Sequence, residues 1–216
     1  MAKKVIILIF VVVFLLFNPQ FSMGEGFGDV YLGWHDTHAD DMDVKLNESP
    51  VGTYPDSDSG SIFGGRIGFW SKNYAWLGLA VDASVSQVDF GEIDIGIASA
   101  SLLVMARLAV NKSEQFPQGK VQPYAGAGPG IFFGGMSEFV PEIPPSGAVL
   151  DDSYFNIGLD ARAGITFLFN ERYGVFLEYA FKRFSSEFNS DVTAGTAILK
   201  PTLSSNTLSF GMTFRF

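Results

Sequence analysis

Apolar residues recur at every second position in eight separate stretches of this chain, and wherever the apolar row can be assigned it carries no charge. A side-chain period of two belongs to a β-strand, whose successive residues point to opposite faces; a helix repeats every 3.6. The stretches run near 26–35, 61–70, 76–87, 97–110, 121–133, 153–168, 174–185 and 206–216. Their lengths lie near the 9–11 residues that a tilted strand needs to cross a bilayer.

The apolar row reads Val30, Leu32, Trp34, then Phe63, Ile67, Phe69, then Leu77, Leu79, Val81, Ala83, Val85. It continues through Leu102, Val104, Ala106, Leu108 and Ile157, Leu159, Ala161, Ala163, Ile165, Phe167. Val175, Leu177, Tyr179, Phe181 and Leu208, Phe210, Met212, Phe214, Phe216 complete it. The opposite row is mostly glycine, alanine and serine, with one or two charges per strand: Asp29, Arg66, Asp82, Arg107, Asp160, Arg162, Glu178, Lys182 and Arg215. The fifth stretch, Tyr124 to Gly130, is too rich in glycine for a face assignment, and Pro123 and Pro129 each remove a ladder donor and suggest a bulge.

Alternation alone does not say which row faces out. A soluble barrel would turn the apolar row inward. The small polar row suits a cramped lumen, and its acids and bases nearly balance, as charges shut away from water must. A charge on a lipid-facing row would cost about 2–4 kcal/mol at the bilayer midplane. These arguments place the apolar row against lipid and the charged row inside. Trp34, Trp76, Tyr124 and Tyr173 fall near strand ends, where an aromatic girdle is expected.

The amino terminus reads differently. Lys3 and Lys4 precede an apolar run over 5–17, too short for a spanning helix of about 20 residues. A positive start, a short apolar run and small residues Ser22 and Gly24 describe a cleaved export signal over residues 1–24, with Glu25 first in the mature barrel domain, 25–216. The absence of cysteine excludes disulfides, a thiol nucleophile and lipid attachment at the cut. A net charge of −9 argues against nucleic acid, which needs clustered basic residues. Charged residues make up 17% of the chain, against about 25% in ordinary soluble domains.

Connections between the stretches alternate in length. They are long over 36–60, short over 71–75, moderate over 88–96 and 111–120, long over 135–152, short over 169–173 and long over 186–205. Outer-membrane barrels join their strands by short periplasmic turns and longer external loops. The fold expected is all-β: an eight-stranded antiparallel up-and-down transmembrane barrel.

The run Val121-Gln122-Pro123-Tyr124-Ala125-Gly126-Ala127-Gly128-Pro129-Gly130 resembles a strand of the small outer-membrane β-barrel family, which includes OmpA-type transmembrane domains and OmpX/Ail-type proteins. The stretch Gly64-Gly65-Arg66-Ile67-Gly68 is similar to that family's second strand. The terminal Phe210, Met212, Phe214 and Phe216 resemble the insertion signal read by the outer-membrane assembly machinery. The resemblance implies a location in the outer membrane, with lipid and lipopolysaccharide as surroundings. The peptidoglycan-binding role of full OmpA-type proteins is not implied, since no further domain is expected.

Three sets of residues could carry function. The charged lumen row is expected to be a structural ion-pair network, with a small gated channel as the alternative. In the first long connection, Asp36, Asp40, Asp41 and Asp43 form a candidate Ca²⁺ loop, although the glycine turn and closing glutamate of an EF-hand are missing. A solvated acidic loop is the simpler reading. His35 and His38 are the chain's two histidines and so its two candidate general bases for a lipid-modifying hydrolase, and no Ser/His motif surrounds them. No catalytic residue or cofactor is expected. The expected role is structural or interaction-based at the cell surface, through contact with an extracellular ligand that the sequence does not name. A narrow-pore transport protein is the alternative.

Overall fold

The computed structural model describes residues 23–40, 43–46, 49–53, 57–89, 93–140, 148–185, 188–192, 195–199 and 202–216. The export signal assigned to 1–24 lies outside them apart from Met23 and Gly24. The described elements are all strands: β1 (Met23–Asp40), β2 (Asp43–Leu46), β3 (Ser49–Thr53), β4 (Ser57–Ser71), β5 (Leu77–Asp89) and β6 (Ile93–Arg107). They continue as β7 (Val121–Val140), β8 (Ala148–Leu168), β9 (Tyr173–Ser185), β10 (Phe188–Val192), β11 (Gly195–Leu199) and β12 (Thr202–Arg215). Eight of these close into a barrel in the order β1-β12-β9-β8-β7-β6-β5-β4. Every neighbouring pair is antiparallel. At the seam, Gly26 N donates to Phe216 O at 2.8 Å and Phe216 N donates back at 3.0 Å. Closure satisfies the backbone between strands and leaves the barrel no free edge.

The outer face is apolar and largely exposed: Leu32 is 57% accessible, Ile67 61% and Phe210 53%. Leu79 is the exception in its row, since it is buried. The alternate residues fill the lumen, as expected from the period of two. Five buried lumen aromatics each lie opposite a glycine on the next strand: Phe27 with Gly68, Tyr31 with Gly64, Trp70 with Gly78, Tyr124 with Gly164 and Phe176 with Gly211. A narrow lumen leaves a ring nowhere to go but flat across its neighbour. A Cβ at Gly164 would meet Tyr124 Cζ at 2.6 Å, and one at Gly64 would run into the Tyr31 ring.

Several expectations need correction. The strand expected over 97–110 ends at Arg107, and beyond it Val110 makes an isolated bridge to Val121. The proposed bulge is absent: β7 keeps one register with β8 from Val121 to Val140 through both prolines. Against β6, the ladder is interrupted at Gly128 and Pro129 and resumes in the same register. The connections read as long are largely strand. The β7–β8 ladder continues to Val140 opposite Ala148, and β1 runs to Asp40 while β4 begins at Ser57. The described chain beyond these strand ends carries a second sheet, in the order β10-β11-β2-β3. Polar, turn-rich sequence concealed it, because these short strands have no long apolar row.

The glycine–aromatic pairing sets an expected stability difference. Gly164→Val should destabilise the barrel by about 1–3 kcal/mol through overpacking. Gly28→Val, where an added Cβ meets no atom within 4 Å, should change stability by less than about 0.5 kcal/mol. Urea unfolding in detergent micelles, followed by tryptophan emission, reads both; equal effects would contradict the packing described.

Candidate functional site

Arg66 projects from β4 and Arg162 from β8 into the middle of the lumen, both buried. Arg162 is held by three carboxylates. Its Nη1 and Nη2 grip Asp82 at 2.8 and 3.1 Å; Nη2 and Nε reach Asp160 at 2.6 and 3.2 Å; Nη1 also reaches Glu178 at 3.1 Å. These bonds use all five guanidinium donors, so none is left to compete for water. Arg66 donates to Asp29 through Nε at 2.8 Å and to Glu178 through Nη1 at 2.6 Å. Glu178 therefore joins the two arginines.

Two tyrosines complete this centre. Tyr31 donates to Asp82 at 2.9 Å, and Tyr124 donates to Glu178 at 2.8 Å. Arg66 also lies 5.4 Å from the ring centres of both Tyr124 and Phe176. Lys182, opposite Asp160 on the adjoining strand, donates to Ser84 and Ser99 at 2.7 and 2.8 Å. Charge-assisted hydrogen bonds of this kind are short and strong, and the guanidinium fork fixes their direction.

A second group sits toward the end that carries both Glu25 and Phe216. Arg107 stacks on Trp70 at 4.3 Å and donates to Glu25 at 2.7 Å and to the Ala75 carbonyl at 2.9 Å. Gln122 accepts from Arg107 at 3.3 Å and from Arg215 at 3.2 Å. It also donates to the carbonyls of Gln118 and Gly119 at 3.1 and 3.0 Å. The connection over 108–120 is thus bonded to the lumen side chain of Gln122, and its own Phe116 is buried. Toward the opposite end, the Phe132 and Phe184 rings stack at 4.1 Å. His35 Nε2 donates to the Gln87 carbonyl at 3.0 Å, and its Nδ1 lies 3.0 Å from Thr37 Oγ1.

All nine charged residues expected in the lumen are buried there. The sequence row left its bases one ahead, with Asp29, Asp82, Asp160 and Glu178 against five bases. The missing acid is Glu25, which pairs with Arg107 and lies 3.5 Å from Arg215. It stands at the expected signal cut, before the alternation begins. Tyr124, expected in the aromatic girdle, instead lies in the lumen. The glycine-rich strand hid its parity, although Gln122, Tyr124 and Phe132 share one row. Of the candidate Ca²⁺ loop, Asp36 lies in β1, is exposed and contacts His38 at 3.1 Å. Asp40 ends the same strand, Asp43 begins β2, and Asp41 falls outside the described residues. Among the described residues no group of three or more His, Asp or Glu is placed to hold a metal ion.

A closed eight-stranded barrel with an exposed uncharged apolar belt and an ion-paired lumen is a small transmembrane β-barrel of the outer-membrane type. No protein-family model and no curated protein matches the chain. Among solved structures it is similar to the outer membrane protein OprG from Pseudomonas aeruginosa, at a TM-score of 0.53 and 16% identity over 92% of this chain and 99% of that one. It is likewise similar to the outer membrane protein AlkL in lipid bilayers, at a TM-score of 0.55 and 10% identity over 92% of this chain and 93% of that one. At these identities the likeness establishes the shared fold.

The double role of Glu178 gives a direct expectation. Glu178→Gln leaves two buried guanidinium groups short of a counter-charge and should destabilise the barrel by about 3–5 kcal/mol. Tyr124→Phe removes one hydrogen bond to the same carboxylate and should lose about 1–3 kcal/mol. Urea unfolding of both variants in micelles measures this order, and a Glu178→Gln variant as stable as the parent would remove the network's structural role.

Proposed function

We propose that the chain is an integral outer-membrane protein, non-enzymatic, whose role is structural or one of surface contact, with the extended strand ends and the second sheet outside the cell. The observation that carries this reading is the filled lumen. Cross-linked charges occupy its centre, stacked aromatics lie toward one end, and the 108–120 connection, bonded to Gln122, borders the other. Eight strands enclose a space that side chains fill. The balance of five acids against five bases leaves no surplus charge to select ions.

The periplasmic end in this reading holds the tight connections 72–76 and 169–172, the fastened 108–120 segment, Glu25 and Phe216. The terminal residues Phe210, Met212, Phe214 and Phe216 face outward, where assembly machinery could read them. Lipid and lipopolysaccharide would surround the belt, and the external sheet would meet an extracellular ligand. A narrow pore is the second reading, favoured by the shared Glu178 carboxylate, which could exchange partners between Arg66 and Arg162.

Two measurements test the proposal. Purified protein in planar bilayers should give no steady porin-sized current; large reproducible openings would put transport first. Since the chain has no cysteine, a single introduced thiol reports one position. Ser57→Cys should react with a membrane-impermeant maleimide on intact cells, Asn170→Cys should react after the outer membrane is opened, and Val81→Cys should stay shielded by lipid. Labelling of Asn170→Cys and not Ser57→Cys on intact cells would invert the orientation.

A further inference from the structure

Counter-charge is unevenly supplied along the lumen. In its middle, Asp29, Asp82, Asp160 and Glu178 accompany Arg66, Arg162 and Lys182. Toward the end that carries Phe216, Arg107 and Arg215 share one carboxylate: Glu25 grips Arg107 at 2.7 Å and stands 3.5 Å from Nε of Arg215. Arg215 is 7% accessible, and its Nε and Nη1 make no hydrogen bond. Gln122 does not make up the shortfall. Its oxygen already accepts from both arginines, and its nitrogen donates to the Gln118 and Gly119 carbonyls. A buried guanidinium with unused donors calls for a further anionic oxygen.

Arg215 lines a cavity of about 910 Å³ at this end of the barrel, within the roughly 300–1,000 Å³ of sites that hold small ligands. The buried part of the lining holds Arg215 and Gln122. The exposed part holds Glu114, from the 108–120 connection, with Glu171 and Arg172 from the turn between β8 and β9. With Glu25 shared between two arginines, charge is positive within; with two glutamates to one arginine, it is negative at the rim. A further side is hydrophobic. Tyr173 and Phe214 line the cavity from the outer wall, where both are exposed and pack edge-to-face at 5.6 Å.

We propose that this cavity holds the headgroup of one phosphatidylethanolamine molecule. The proposal rests on the membrane-spanning reading and not on which end of the barrel faces the periplasm. Each part of the headgroup meets its complement in the order in which a bilayer presents it. The phosphate, next to the glycerol, lies at the depth of Arg215, whose planar fork suits phosphate oxygens. The ammonium, at the tip, lies toward Glu114 and Glu171 and has three N–H groups to donate. The acyl chains leave past Tyr173 and Phe214 into hydrocarbon. Other occupants lack one part. Phosphatidylglycerol brings no cation for the glutamates, and the cation of phosphatidylcholine has no N–H. A free anion would enter past a negative rim, and a free cation would find guanidinium within.

The test is native mass spectrometry of folded protein released from micelles that hold equal amounts of dimyristoyl phosphatidylethanolamine, phosphatidylcholine and phosphatidylglycerol. The parent should retain one phosphatidylethanolamine at about tenfold over either competitor, the worth of one added charge-assisted hydrogen bond. Glu114→Gln combined with Glu171→Gln should reduce that preference to within about twofold. Lys112→Gln, on the same connection and outside the cavity, should keep it. Arg215→Gln should retain about tenfold less phosphatidylethanolamine, and the exposed glutamate pair keeps the test decisive where that barrel fails to close. Equal retention of the three lipids by the parent, or an unchanged preference without the two glutamates, overturns the site. So does displacement of the lipid by an equal concentration of glycerophosphoethanolamine, which would assign the cavity to a soluble molecule. Protein that does not float with liposomes would instead sink the membrane-spanning reading itself.

Discussion

An eight-stranded barrel has room inside for side chains and little else. That circumference governs the rest of the molecule. A charge placed in such a lumen cannot be hydrated freely, so it must find a partner across a distance of a few ångströms or cost several kcal/mol. Arg162 shows how fully the demand is met, since all five of its donors end on Asp82, Asp160 or Glu178. The aromatics answer the same constraint sterically, each lying over a glycine on the strand beside it. The glycines of this chain are therefore less a sign of loose structure than the counterpart of Tyr31, Trp70, Tyr124 and Phe176.

Much of this was legible in the sequence, for a physical reason. A strand with lipid on one side and a packed lumen on the other is the cleanest case of a period of two, because either face punishes a misplaced residue. Val81 and Asp82 are neighbours in sequence and opposites in environment, and the alternation around them fixes both. What was hidden lay where that double constraint lapses. Tyr124 was misplaced because its outward neighbours are small and mark no face. Glu25 was passed over because it precedes the alternation. The second sheet of β2, β3, β10 and β11 is built of strands too short to show an apolar row in sequence, and the far ends of the β7–β8 ladder look like loop in sequence for the same reason.

The lumen and the outer wall divide the work. The lumen's bonds tie distant strands together: Arg66 on β4 to Glu178 on β9, Arg162 on β8 to Asp82 on β5. Such bracing joins strands that are not neighbours in the barrel wall and fits the proposed reading of a lumen without passage. On that reading, contact with the surroundings would fall to the extended strand ends.

The central claim is that β5 separates hydrocarbon from a dry, filled lumen along its length. Nitroxide labels placed one at a time at Ala80, Val81, Ala83, Ser84 and Val85 of the otherwise cysteine-free chain, in bilayers, test it most directly. Collisions with oxygen should be high at 81, 83 and 85, and at 80 and 84 both oxygen and a water-soluble nickel chelate should be excluded. Nickel access at 80 and 84 would reveal a water-filled passage, and nickel access at 81, 83 and 85 would show that the apolar face never meets lipid.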